Sequence, residues 1–488
     1  MADSPAPGAS SPQPTPTATT TQVTVLWIAI LGSFVAFLDG SIVTVALPAI
    51  ARDLGGGIAL QQWVTDAYLI TLGALILVAG SLSDTFGRLR VLTVGLIGFG
   101  AMSLVIALAP TGGVLIGARL LQGVAGALLV PSSLALIMST FRGPAQAKAI
   151  GTWTGATTGA FVAGPLLGGL LTDYASWRWA FGINVIPIAV TLVLLARVKA
   201  AGMRDVRRPD ATVDYLGAVL CAVGLGALVF ALVEEPNLGW DHPAILGAAT
   251  GGLLALAVFL WRESRAADPM LPLGLFKARN FAWGNLTTWF AYGALALNGF
   301  IVSVYLQQGA GLSATAAGLS ELPITVLMIV FSSRVGALGG RYGPRLFMTV
   351  GPLVMGVGSF MLVAISEDFS YWTQALPGIV VFGIGLTLMV APLTSAILGA
   401  IETSRSGIAS AINNAIARIA GLVAVAMVGT IVGGQLDLDG FHRATIVTGV
   451  FMVVAGAIAW AGIRNDAVAR DDAVARDDGV ARDDAAGA

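Results

Sequence analysis

The sequence predicts an all-α chain that crosses a membrane fourteen times. Three observations lead there: its composition, recurrent apolar stretches of span length, and basic residues gathered on one side. Of 488 residues, 56% are hydrophobic and only 11% charged, and the mean hydropathy is +0.85. A soluble domain carries roughly 25% charged residues, so this chain lacks the polar surface to cover a globule in water. Fourteen apolar segments lie near 23–50, 60–80, 91–109, 113–138, 146–171, 180–197, 213–233, 244–261, 281–306, 315–336, 346–365, 373–399, 407–433 and 444–463. Each approaches or exceeds the roughly 20 residues that cross hydrocarbon as a helix. Gly, Pro or charge marks the breaks, as at Gly55-Gly56-Gly57, Gly87-Arg88, Pro209 and Gly343-Pro344.

Charge tests the count. With the N-terminus inside, the inner loops hold Arg88, Arg90; Arg142, Lys148; Arg197, Lys199, Arg204, Arg207, Arg208; Arg262, Arg265, Lys277, Arg279; Arg334, Arg341, Arg345; and Arg405. The outer loops hold only Arg52, Arg178 and Arg443. This asymmetry fits the positive-inside rule. One missed or invented span would reverse every later loop, so an even number of spans with both termini cytoplasmic is expected, in a cytoplasmic membrane.

The ends differ from the middle. Residues 1–22 are rich in Pro, Ser, Thr and Ala and contain no Lys or Arg. They are not a signal peptide and read as a disordered cytoplasmic tail. Residues 464–488 form a charged tail built on the repeat DAVARD, DAVARD, DGVARD.

Several function classes drop out. A net charge of −1 argues against a nucleic-acid partner. One cysteine, Cys221, and two isolated loop histidines, His242 and His442, leave no metal site, and no cofactor is expected. There is no HExxH motif, paired-Cys site or Gly-rich phosphate loop, so a membrane enzyme is disfavoured.

The chain also repeats itself. Gly80-Ser-Leu-Ser-Asp84-Thr-Phe-Gly87-Arg88-Leu-Arg90 follows the second segment, and Gly336-Ala-Leu-Gly-Gly340-Arg-Tyr-Gly343-Pro-Arg345 follows the tenth. The two match in glycine spacing and basic ending. Eight segments separate them, so segments seven and eight are the natural additions to a six-plus-six duplication. The expected organisation is a first six-helix bundle at 23–197, two additional helices at 198–262 and a second bundle at 263–463.

The loop Gly80–Arg90, with the shape G-x-L-x-D-x-x-G-R-x-R, resembles the signature loop between spans two and three of the major facilitator superfamily. Leu38-Asp39-Gly-Ser41-Ile-Val-Thr44-Val-Ala-Leu-Pro48 is similar to the first-span signature of its fourteen-span drug:proton antiporter branch, where Thr and Asn usually stand in place of Ser41 and Thr44. Arg119-Leu-Leu-Gln122-Gly123 resembles the intramembrane arginine motif. Gly155 with Gly164-Pro165-Leu-Leu-Gly168-Gly169 resembles the antiporter motif, and Trp177-Arg-Trp-Ala-Phe181…Asn184…Pro187 the entry to span six. The resemblance covers residues 24–463 and implies the major facilitator fold, two six-helix bundles plus two extra helices. It also implies proton-coupled export of small apolar or amphipathic compounds, with a proton gradient as the energy source. A monomer working with a small molecule, protons and the lipid bilayer is expected. Export of an endogenous metabolite or lipid is the alternative on the same scaffold.

Physics assigns roles within that frame. A charge at mid-membrane costs roughly 2.5–3.5 kcal/mol on insertion scales, so such residues must face protein or water. Asp39 lies about sixteen residues into its span, on the order of 24 Å at helical rise, and Asp66 sits a few residues into a span that descends from outside. Similar depths would let both carboxyls face one cavity and exchange protons, with Arg119 as the charge that switches them. Asp39→Asn is then expected to stay folded and to lose proton-driven efflux. Gly80, Asp84, Gly87, Arg88 and Arg90 would form a conformational switch loop, Asp84 pairing with a base or capping a helix. Gly155, Gly159, Gly164, Gly168 and Gly169 would form a small-residue packing face bent by Pro165. Phe37, Trp63, Trp289, Tyr292, Asn298, Asn413, Asn414 and Arg418 are the candidate lining of a substrate cavity. Span ten offers only Glu321 as an acid, and span thirteen carries amides and an arginine, so a dication is a poor fit.

Overall fold

The computed structural model describes residues 19–203, 205, 213–267, 269–402 and 405–465. The N-terminal tail up to residue 18, the repeats from residue 466 onward, and Arg204, Arg207, Arg208 and Pro209 lie outside the described residues. Fourteen helical spans follow one another. They are α1 (Thr20–Leu54), α2 (Gly57–Phe86), α3 (Arg88–Ala107), α4 (Gly112–Thr140), α5 (Gly143–Tyr174), α6 (Arg178–Ala200) and α7 (Tyr215–Leu238). The rest are α8 (Pro243–Glu263), α9 (Arg279–Gln308), α10 (Ala314–Tyr342), α11 (Pro344–Ala364), α12 (Tyr371–Gly399), α13 (Ser406–Val432) and α14 (Leu438–Gly462).

The helices outrun the apolar segments because capping, not hydropathy, sets their ends. Thr19 opens α1 with a reciprocal capping box to Gln22, three residues before the apolar run begins. Among the described residues thirteen spans are long and apolar enough to cross a bilayer, and α5, 32 residues long, completes the fourteen.

The duplication is visible in the packing. In the first bundle α1 packs on α5 and α6, α2 on α4, and α3 on α4 and α6. The same pairs recur eight helices later: α9 on α13 and α14, α10 on α12, and α11 on α12 and α14. Helices α7 and α8 pack on each other outside this scheme. Leu225, Val229 and Val233 of α7 meet Ile70 and Ala74 of α2 and Leu422 and Ala426 of α13. The added pair therefore covers one seam between the bundles.

The described hydrogen bonds between the bundles gather at one end. Call the face where α1 begins and α14 ends the termini side. Gln62 of α2 donates to the carbonyls of Val425 and Ala426 in α13, both at 2.9 Å. Gln307 of α9 donates to Val45 of α1 at 3.1 Å. The Asp173 carboxylate at the end of α5 accepts the Ala314 and Thr315 N–H groups that open α10, at 3.0 and 2.7 Å. An anion suits a helix N-terminus. All these bonds lie away from the termini side, where the described hydrogen bonds stay within one bundle or one helix pair.

Candidate functional site

Asp39 is fully buried, and all its partners belong to the first bundle. One carboxylate oxygen accepts from the Arg119 guanidinium at 2.5 Å. The other accepts from Gln122 at 3.2 Å and Asn184 at 3.0 Å. Arg119, 2% exposed, also donates to the Val64 carbonyl at 2.9 Å and to Gln122 at 2.8 Å. Its guanidinium lies 4.3 Å over the Tyr68 ring. Ser103 of α3 accepts from Gln122 at 2.9 Å. Five helices thus satisfy one ion pair, because a buried charge is tolerated only when paired and hydrogen-bonded. Gln122 and Asn184 fall inside quoted motifs; Ser103, a lone serine in an apolar run, carries no sequence signal.

Asp66 departs from the expectation of a shared cavity. It too is fully buried, yet neither carboxylate oxygen has a hydrogen-bond partner. It stands one turn from Gln62, on the helix face that meets α13. The two acids are close in depth but separate in address: Asp39 turns into its own bundle and Asp66 into the seam between bundles.

The loop after α2 is held from two directions. Arg88 pairs with Asp84 at 3.2 Å and donates to the Ala135 carbonyl of α4 at 3.1 Å. The N-terminus of α3 is capped by Asp205, whose carboxylate accepts the Leu89 and Arg90 N–H groups, both at 3.0 Å. Asp84 thus takes the pairing role and Asp205 the capping role. Gly87 has φ +100°, and a side chain there would run into the Asp205 carboxylate. The second bundle repeats the device after α10. Gly343 has φ +84°, a side chain there would strike Asn465, and Asn465 accepts the Arg345 N–H at 3.2 Å. The cap residues come after the last helix of each bundle, far from the loops in sequence. Gly80 has open space around it.

The glycine motif of α5 divides rather than forming one face. A Cβ on Gly164 would collide with the Ser41 side chain, and one on Gly168 would lie 2.6 Å from the Ile42 carbonyl, so these two seat α5 on α1. Gly169 meets the other bundle, where a Cβ would lie 2.5 Å from Thr315 Cα. The Pro165 carbonyl closes on Gly318 of α10. Gly155 and Gly159 face open space, because the bundles diverge toward the termini side.

The cavity candidates separate as well. Trp63 is not a lining residue: its indole donates to Glu234 of α7 at 2.7 Å and its ring tilts against Phe230, because α7 docks on that face of α2. Asn413 is taken up by Asn285 and Thr288 of α9, at 3.1 and 2.9 Å, and ties α13 to α9. Trp289 stands exposed, and Asn298 is buried with its carbonyl oxygen unpartnered. Phe37, Tyr292, Asn414 and Arg418 are half-buried. Arg418 lies 5.8 Å from the Phe37 ring.

The family model described as "Major Facilitator Superfamily" matches residues 29–425. A tetracenomycin C resistance and export protein of Streptomyces glaucescens is 31% identical over 85% of this chain and 76% of its own length. A puromycin resistance protein of Streptomyces alboniger is 33% identical over 89% of this chain and 88% of its own. A multidrug resistance protein of Mycobacterium tuberculosis is 34% identical over 83% of this chain and 75% of its own. A D-xylose–proton symporter structure shares the fold with TM-score 0.65 at 15% identity, over 91% of this chain and 99% of that one. A peptide transporter structure does so with TM-score 0.66 at 14% identity, over 90% and 94%.

Proposed function

Because the chain belongs to the major facilitator superfamily, as a multi-pass membrane transporter, we propose that it exports small apolar or amphipathic compounds, antibiotics among them, in exchange for protons. The resistance and export activities named for its relatives support the direction and the substrate class. The loop charges support an orientation with both termini in the cytoplasm of a cell-membrane protein. In that orientation the seam is shut toward the outside and open toward the cytoplasm, the state that receives cargo. Alternating access then rocks one bundle against the other. The working unit is a monomer, since one chain supplies both sides of the seam, and the proton gradient replaces any cofactor.

The observation that carries the coupling is Asp66, a buried carboxyl with no partner in the seam that must open and close. An ionised carboxylate there would cost several kcal/mol. The charged groups of the neighbouring helices do not relieve it. Arg119 is bound to Asp39, Glu234 to Trp63, and Glu235 to Thr430. Arg418 of α13 makes no ion pair with it. Closure therefore requires the neutral acid. When the outer seam opens, Asp66 meets water and takes a proton from the outside; with the proton aboard the seam recloses, and cargo entering from the cytoplasm displaces that proton to the cytoplasm before the next opening. Asp39 is taken up by Arg119, Gln122 and Asn184 while Asp66 has no partner, so in this reading Asp66 rather than Asp39 carries the proton.

The test is a susceptibility screen with structurally unrelated antibiotics and dyes, in a pump-deficient host expressing the chain, with and without an uncoupler. Resistance should appear and should vanish with the uncoupler. Resistance that ignores the uncoupler rejects proton coupling.

A further inference from the structure

Arg418 is the intramembrane charge left over once the site is assembled. It sits near the middle of α13, half-buried, and among the described residues it makes neither an ion pair nor a hydrogen bond. Its neighbours come from two other helices. Its Cβ lies 3.8 Å from where a side chain on Gly73 of α2 would begin, so a glycine lets it approach. Its guanidinium is 5.8 Å from the Phe37 ring of α1. Tyr68 of α2 turns the other way, its ring under Arg119 and its hydroxyl against Gly126 of α4 inside the first bundle.

An arginine cannot shed its proton in a protein, and a permanent charge at this depth persists only against a counter-charge or water. The Asp39–Arg119 pair cancels itself, and Arg418 has no counter-charge within ion-pair distance among the described residues. The boundary where the bundles part thus carries a positive charge beside an aromatic face. A cation would be repelled there. A compound with an apolar body and one anionic group matches both features: Arg418 donates to the anion, and Phe37 packs against the body.

We propose that Arg418 anchors the acidic group of amphipathic anions in the seam, so that lipophilic monoanionic acids are the preferred cargo. Release of the bound acid to the outside rests on the export reading; its binding does not.

The test uses the purified full-length chain in nanodiscs without any gradient. The probes are N-dansyl-leucine, anionic at pH 7.5, and its neutral isostere N-dansyl-leucinamide, both read by dansyl fluorescence. The acid should bind roughly tenfold tighter than the amide, the margin of a charge-assisted bond over a neutral one. Arg418→Gln should erase that preference while leaving amide affinity in place, and Arg418→Lys, which keeps the charge but not the fork, should retain part of it. Equal or tighter binding of the amide by the unaltered chain, no measurable binding of the acid, or a preference that survives Arg418→Gln overturns the proposal. The first two outcomes need no variant, so misfolding cannot mask them. Failure of uncoupler-sensitive resistance alongside an intact acid preference would reject proton-coupled export and leave the anchor standing.

Discussion

Replacing Asp39 by asparagine removes one charge and almost no volume, which makes it a sharp probe of the buried pair. One Asp39 oxygen takes Arg119, and the other takes Gln122 and Asn184. All three partners donate. An asparagine amide must turn its NH2 toward one of those two sets, so every orientation sets donor against donor. Arg119 would also stay buried with its charge unmatched. Breaking a buried ion pair costs about 3–5 kcal/mol; because Arg119 keeps the Val64 carbonyl and Gln122, the lower end, about 3 kcal/mol, applies. This revises the sequence-based expectation that Asp39→Asn stays folded and simply loses efflux. Removing both charges, Asp39→Asn with Arg119→Gln, should cost less than the sum of the single changes by about 2 kcal/mol. Unfolding by SDS titration in mixed micelles, followed by circular dichroism, measures all four corners of the cycle. The reasoning fails if Asp39→Asn unfolds at the wild-type SDS fraction, or if the double variant equals the sum of the singles.

The glycines of α5 should divide by position. Gly164→Ala collides with Ser41 and Gly168→Ala approaches the Ile42 carbonyl, so each should lower the melting temperature measured by fluorescence-detected size exclusion, whereas Gly155→Ala, in open space, should leave it unchanged. Asp205→Ala removes the cap of α3 and should cost about 1 kcal/mol in the same SDS titration; Asn465→Ala, at the matching place in the second bundle, should act the same way at smaller size, its cap being neutral.

The helix count was legible because apolar length is a property of composition along the chain, and so was the inserted pair, from the eight-span gap between the repeated loops. The buried acids were legible as residues but not as contacts. Depth along a helix says nothing of which face a side chain takes, so Asp39 and Asp66 looked like one site and are two. Trp63 looked like a cavity aromatic because nothing in its own helix shows that α7 docks there. Asp205 and Asn465 gave no signal because each closes a loop more than a hundred residues earlier in the chain, where local patterns do not reach.

Protonation of Asp66 as the condition for closing the outer seam can be measured without a substrate. The single native cysteine, Cys221, is buried and can be replaced by serine, leaving spin labels at Arg52→Cys and Gln435→Cys to span the far side. The closed state binds the extra proton, so acid must favour closure and rising pH must favour opening. Double electron–electron resonance should show the short distance at low pH and a growing long-distance population as pH rises, while Asp66→Asn stays short across the range. A distance distribution that ignores pH in the unaltered background, or one that still opens with pH in Asp66→Asn, would contradict the account.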